Sequence, residues 1–213
     1  MLRLRLKFNR SDKLKYLSHL DLMRLWERAL RRAGLSIAYS EGFSPHPRIS
    51  LAAPLAVGIT SSAELMDVFL VNHIAPGMFL QQLRPQMPEG IDIIEIMPVR
   101  PDAPSLQSRV RYAEYKVEMD TGKSDVEVQS GIASLLASGE FPWHHSRDTG
   151  ERFYDLRPLI DDIWLMDCAD GLCRLGMRLK CDPSGSGRPE QVSKALGFEE
   201  TPRVIERTKL ILA

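Results

Sequence analysis

Two histidines and a row of arginines lie within residues 16–50, YLSHLDLMRLWERALRRAGLSIAYSEGFSPHPRIS. His46 sits between Pro45 and Pro47, which stiffen the backbone on both sides of it, and Arg48 follows one residue later. His19 stands at a helix start. An imidazole so held can exchange a proton near neutral pH or meet an anion. Arg24, Arg28, Arg31 and Arg32 fill the interval, and clustered guanidiniums suit phosphate oxygens. Arg3, Arg5 and Lys7 add a basic side to an opening strand.

These residues support three chemistries. As a metal-independent endoribonuclease, His19 or His46 would be general base or acid for attack by a ribose 2′-hydroxyl, with Arg28 or Arg48 steadying charge on phosphorus. As an RNA-binding protein, the cations would hold backbone and shape, because the opening strand lacks aromatics on which bases stack. As an adaptor, the arginine stripe would dock an acidic protein surface. The plain alternatives are cap and turn histidines and a solvated helix face.

A second loop, Asp182-Pro183-Ser184-Gly185-Ser186-Gly187-Arg188-Pro189, runs into a helix. Gly185, Gly187 and Arg188 would seat an anion if the loop amides stay free. A flexible hairpin loop is the simpler reading. The loop lacks the lysine and Ser/Thr of a Walker motif and the spacing of a dinucleotide fingerprint. Cys168, Cys173 and Cys181, with His144 and His145 upstream, fit neither a zinc nor an iron–sulfur pattern. Structural or buried thiols are expected, with no metal and no cofactor.

The elements that must position these groups follow from capping and periodicity. Ser18 and Asp21 form a capping pair. Leu22, Trp26, Ala29, Leu30 and Ala33 make one apolar face, and Gly34 ends the helix. Leu2, Leu4, Leu6 and Phe8 alternate with the basic residues, which predicts a half-buried strand with a basic outer face. Short extended pieces are expected at 35–39 and 49–57, a strand at 64–71, a helix at 76–83 and a strand at 91–99. Pro98, Pro101 and Pro104 mark a linker. The second half repeats the order: a strand at 110–119, a helix capped by Ser124 and Glu127, extended pieces around Asp148-Thr149-Gly150, a hairpin turning at Asp170-Gly171, a helix from Pro189 and a strand at 203–212. The fold class expected is α+β, with two tandem ferredoxin-like (βαββαβ) domains, residues 1–100 and 108–213.

Residues 1–60 carry 11 Lys+Arg against 4 Asp+Glu, and the remainder 17 against 24, so the chain is polarised although its net charge is zero. There is no apolar run near the length of a membrane span and no signal-like N-terminus, so no membrane partner and a cytoplasmic location are expected.

The runs YLSHLDLMRLWERALRRAGL, AYSEGFSPHPRISLAAPL and SSAELMDV resemble the radical-SAM-linked family of bacterial proteins of unknown function. Its members occur beside, or fused behind, cobalamin-binding radical SAM proteins. The resemblance is specific over residues 1–71 and implies a radical SAM partner, not a reaction. The CxxxCxxC triad of those enzymes is absent here. More weakly, the first half resembles the ferredoxin-like RNA-processing proteins of CRISPR systems. The polarised charge and the expected fold class point to an accessory protein that recognises RNA, transfer or ribosomal, and the resemblance to the radical-SAM-linked family implies the radical SAM partner to which it would present it.

Overall fold

Ser18 begins the first helix by accepting the Asp21 amide at 3.2 Å, and Gly34, at φ +69°, closes it. The structure is a computed structural model that describes residues 1–147 and 150–213, leaving out the side chains of 145–147. The turn expected at Asp148-Thr149 therefore lies outside the described residues, as does the side chain of His145. The class is α+β, and the chain divides into two compact units, Met1–Val110 and Arg111–Ala213.

The first unit contains β1 (Leu2–Arg10), α1 (His19–Arg32), β2 (Ile49–Leu51), β3 (Thr60–Leu70), α2 (Pro76–Leu83), β4 (Ile93–Val99) and α3 (Leu106–Arg109). Its strands lie in the order β4-β1-β3-β2, and each of these pairs is antiparallel. Leu4, Leu6 and Phe8 of β1 join Met66, Val68 and Leu70 of β3 against Leu22, Trp26, Ala29 and Leu30 of α1 and Phe79 and Leu83 of α2. The period-two and period-3.6 patterns meet here, which is why α1 has one orientation on the sheet. Trp26 packs edge-on to Phe8, ring centroids 4.9 Å apart. Residues 35–39 form no strand. They contribute single antiparallel bridges, Ile37 to Leu70 and Tyr39 to Pro47.

The second unit contains β5 (Val110–Asp120), α4 (Asp125–Ala137), β6 (Pro142–Arg147), β7 (Gly150–Asp155), β8 (Ile160–Ala169), β9 (Leu172–Asp182), β10 (Gly185–Ser186), α5 (Pro189–Ala195) and β11 (Val204–Leu212). Strand order is β11-β5-β9-β8, with β10 also on β9 and β6-β7 a separate pair. With β6, β7 and β10 set aside, the second unit repeats the order of the first: the last strand neighbours the first, then the third, then the second. On β9, Cys173, Leu175, Met177 and Leu179 are fully buried, while Arg174 and Arg178 on the other face pair with Glu118 and Glu114 of β5. The β8–β9 hairpin turns at Asp170 and Gly171, both at positive φ (54° and 76°), the backbone of a type I′ turn.

The expectation of structural or buried thiols needs correction. Cys168 and Cys173 stand opposite each other in the β8–β9 register and are joined as a disulfide, while Cys181 is unbridged. Antiparallel pairing brings their side chains together, which linear spacing could not reveal.

Candidate nucleic-acid interface

The basic outer face expected of β1 is not formed. Arg3 and Arg5 are 2% and 8% exposed, and both are bound to Asp67 of β3, itself fully buried. Arg5 donates from Nε to Oδ1 at 2.8 Å and from Nη2 to Oδ2 at 3.0 Å. Arg3 gives Nε and Nη2 to Oδ2, and its Nη1 and Nη2 reach the carbonyls of Ala103 and Pro104 at 2.6 and 2.9 Å. The proline-rich stretch after β4 is therefore pinned to the sheet of the first unit. These two guanidiniums are buried and bound to Asp67 within the protein and leave the anion site. Lys7 is half-buried, opposite Glu95 of β4 in the strand register.

Helix α1 turns its arginines to solvent. Arg24, Arg28 and Arg31 follow one another at four and three residues and so share a stripe, with Arg32 beside it, and all four are exposed. Asp21 lies 3.5 Å from Arg24 and Glu27 2.6 Å from Arg31. Arg28 donates to the Arg24 carbonyl at 3.3 Å, and Arg32 to the Gln86 carbonyl at 2.9 Å. Neither has a carboxylate partner among the described residues. Four positive charges thus face two negative ones. Tyr39 and then Glu27 push the Arg31 pKa above its ordinary value, so that guanidinium keeps its charge.

Tyr39 also joins the helix to the proline-rich loop, its hydroxyl 3.4 Å from Arg31 Nη2. The loop is closed at its base. Ser40 N donates to the His46 carbonyl at 2.8 Å, His46 N donates to Ser40 Oγ at 2.9 Å, and Arg48 N donates to the Ala38 carbonyl at 2.7 Å. His46 is exposed, as is His19. They are not neighbours through any shared element. His19 opens α1, whereas the loop meets α1 at Arg31, roughly 18 Å further along the helix axis.

Arg48 departs from the expected arrangement. Its guanidinium lies 4.4 Å from the centroid of Phe69, and Arg3 lies 5.3 Å from the same ring. Met66, Val68 and Leu70 face α1, so Phe69, between them, is on the opposite face of the sheet. Arg48 is exposed there, away from the α1 stripe.

In the second unit the glycine loop is a tight hairpin. Asp182 accepts Ser184 N and Ser184 Oγ, each at 2.7 Å, and these contacts, the hydroxyl first, hold its carboxyl below the usual range. The carboxylate thus takes up the Ser184 amide of the loop. Gly187 is buried with its Cα hydrogen turned to the Leu159 carbonyl, which an added Cβ would meet at 2.7 Å, and Gly185 packs likewise on Leu159. Arg188 is exposed next to them. Close packing accounts for both glycines.

Three features escaped the sequence reading. Asp67, the one acid in the run LMDVFL, is the partner of both strand arginines, and an acid amid apolar strand residues was its only signal. Phe43 is wholly exposed at the loop tip, where spacing alone says nothing of direction. Trp164 of β8 lies flat over Gly176 of β9, and a Cβ at Gly176 would fall 1.9 Å from its Cε2. Among the described residues no group of three or more His, Cys, Asp or Glu is placed to hold a metal ion. No helix among them is long and apolar enough to cross a membrane.

The sequence profile of a bacterial family, described as "Uncharacterized protein conserved in bacteria (DUF2344)", matches residues 3–189. No curated protein matches the sequence. Among solved structures, the fold is similar to a chain of a Cbf5-Nop10-Gar1 complex, with TM-score 0.53 and 9% identity over 97% of this chain and 48% of that one. A chain of the archaeal box H/ACA sRNP Nop10-Cbf5 complex matches with TM-score 0.52 and 8% identity, covering 97% and 47%. A chain of an H/ACA RNP bound to a substrate RNA containing 2′-deoxyuridine matches with TM-score 0.50 and 10% identity, covering 96% and 47%. The chain spans about half the length of these structures, and identities this low show likeness of fold alone.

Proposed function

This chain belongs to the bacterial family of uncharacterized conserved proteins (DUF2344), and on that premise we propose that it is an RNA-recognition protein that acts without catalysing a reaction. The observation that carries the reading is the exposed stripe Arg24, Arg28 and Arg31 with Arg32, four cations against two carboxylates, joined to the His46 loop through Tyr39. Phosphates would be met by this stripe, with His46 at its loop end. Arg48 lies on the other side of the sheet and could extend the footprint only around its edge. The structural likeness to a chain of one RNA-bound complex supports the same reading at the level of fold. The shared strand order of the two units supports viewing them as ferredoxin-like domains. The sequence resemblance to radical-SAM-linked proteins supports a radical SAM protein as the partner to which RNA is presented.

The test is RNA binding across a salt series. Affinity should fall linearly with salt on logarithmic axes, with a slope of about 0.7 per phosphate neutralised on a single strand. Absence of salt-dependent binding to total cellular RNA would overturn the reading. Competition by polyglutamate as strong as by RNA would favour an acidic protein surface instead. Failure to co-purify with a radical SAM protein from the native host would remove the partner.

A further inference from the structure

Phe43 is the most exposed large apolar side chain among the described residues, at 110% of its reference area. An isolated surface phenylalanine would need no explanation. This one stands on a prepared support. Its loop is closed by the Ser40–His46 hydrogen bonds and by the Tyr39–Pro47 bridge, while Pro45 limits the backbone beside it. Such a loop loses little freedom when it binds. The same loop carries the exposed His46, and at its base Tyr39, 43% exposed, meets the Arg31 end of the cationic stripe. Glu41, also exposed, is the loop's acidic residue.

An aromatic face wholly outside the protein, on a loop closed at its base and tied there to a cationic helix, has the chemistry of a stacking platform for a nucleobase. Bases inside a duplex are stacked on their neighbours and offer no free face. We infer that the loop at 40–46 selects RNA with unpaired bases, with Phe43 stacking on one base while the α1 arginines hold the flanking phosphates. This rests on the RNA-binding reading above and adds strand selectivity to it. It also adds base stacking to the expectation, drawn from the lack of aromatics on β1, that recognition is by backbone and shape more than by stacking.

The experiment compares single-stranded RNA with blunt double-stranded RNA of the same length, in wild type, Phe43→Ala and Phe43→Trp. Wild type should prefer the single strand. Phe43→Ala should lose at least about fivefold in single-strand affinity, with duplex binding and circular dichroism unchanged. Phe43→Trp should keep the preference, and single-stranded RNA, but not duplex, should quench the added indole emission. Equal single-strand affinity of wild type and Phe43→Ala, or indole emission indifferent to saturating single strand, overturns the inference while leaving RNA binding intact. Loss of a bound polypeptide from Phe43→Ala, with RNA affinity unchanged, overturns it in favour of a protein pocket. If wild type binds neither RNA, the proposed function falls, and this inference with it.

Discussion

Arg3 gives two of its N–H groups to one carboxylate oxygen of Asp67, Oδ2, at 2.9 and 2.6 Å, in a site where both side chains are almost wholly removed from water. Arg5 completes the carboxylate from the other side. Two guanidiniums whose alternation with leucine suggested an outward basic face are instead an internal cross-brace between β1 and β3. A buried pair is costly to break, because removing one partner strands the other charge.

Asp67→Ala should therefore destabilise the protein by about 3–5 kcal/mol. Denaturant unfolding measures this, and a loss below about 1 kcal/mol would mean that the arginines reach solvent. Arg3→Ala should in addition loosen the stretch around Ala103 and Pro104, seen as faster limited proteolysis there.

Arg28→Ala combined with Arg32→Ala should leave the melting temperature nearly unchanged, since both side chains are exposed and neither has a carboxylate partner among the described residues. RNA affinity should fall, and the salt slope should shrink by about 1.4 on a single strand, at about 0.7 per cation. An unchanged slope would show that the stripe does not meet phosphates.

Gly176→Val should be far more harmful than a strand valine usually is. The new Cβ would occupy the space of the Trp164 indole. Displacing that ring costs about 1–3 kcal/mol as overpacking. Tryptophan emission should shift to the red as Trp164 moves into water. If stability rises instead, the indole does not lie where it is described.

Acid should weaken the fold through carboxylates that are hydrogen-bonded in the native state. Glu127 is held below its ordinary pKa by the Ser124 backbone amide first, then the Ser124 hydroxyl, Glu118 by Lys116 first with help from Arg174, and Asp182 by Ser184. A folded pKa below the unfolded one means that the unfolded chain binds more protons. The stabilisation is then fully present above the unfolded values, about 4, and is lost as pH falls through the lowered folded ones. Melting temperature measured from pH 6 down to pH 2 should drop below about pH 4, and Glu127→Gln should flatten that drop.

His19→Ala and His46→Ala should leave RNA length unchanged on incubation in EDTA, for wild type and variants alike. The two imidazoles stand at different ends of the α1 stripe and offer no paired acid and base. EDTA-resistant cleavage that disappears in either variant would restore the endoribonuclease reading.

Much of the local structure was legible in the residues. The caps at Ser18 and Ser124, the apolar stripe of α1, the α2 span and the Asp170-Gly171 turn all follow from short-range rules, in which neighbours within four residues decide the backbone. The exposure of the α1 arginines was legible for the same reason, since the apolar stripe fixes which face turns inward. What pairing decides was not legible. Arg3 and Arg5 alternate with leucine as a solvated face would, yet whether that face meets water depends on Asp67, sixty-four and sixty-two residues away. Cys168 and Cys173 became a disulfide, and Gly176 the floor beneath Trp164, only through strand register. Sequence periodicity tells which side chains share a face. What covers that face is set by contacts between distant segments, and those contacts separated the buried cations of β1 from the exposed ones of α1.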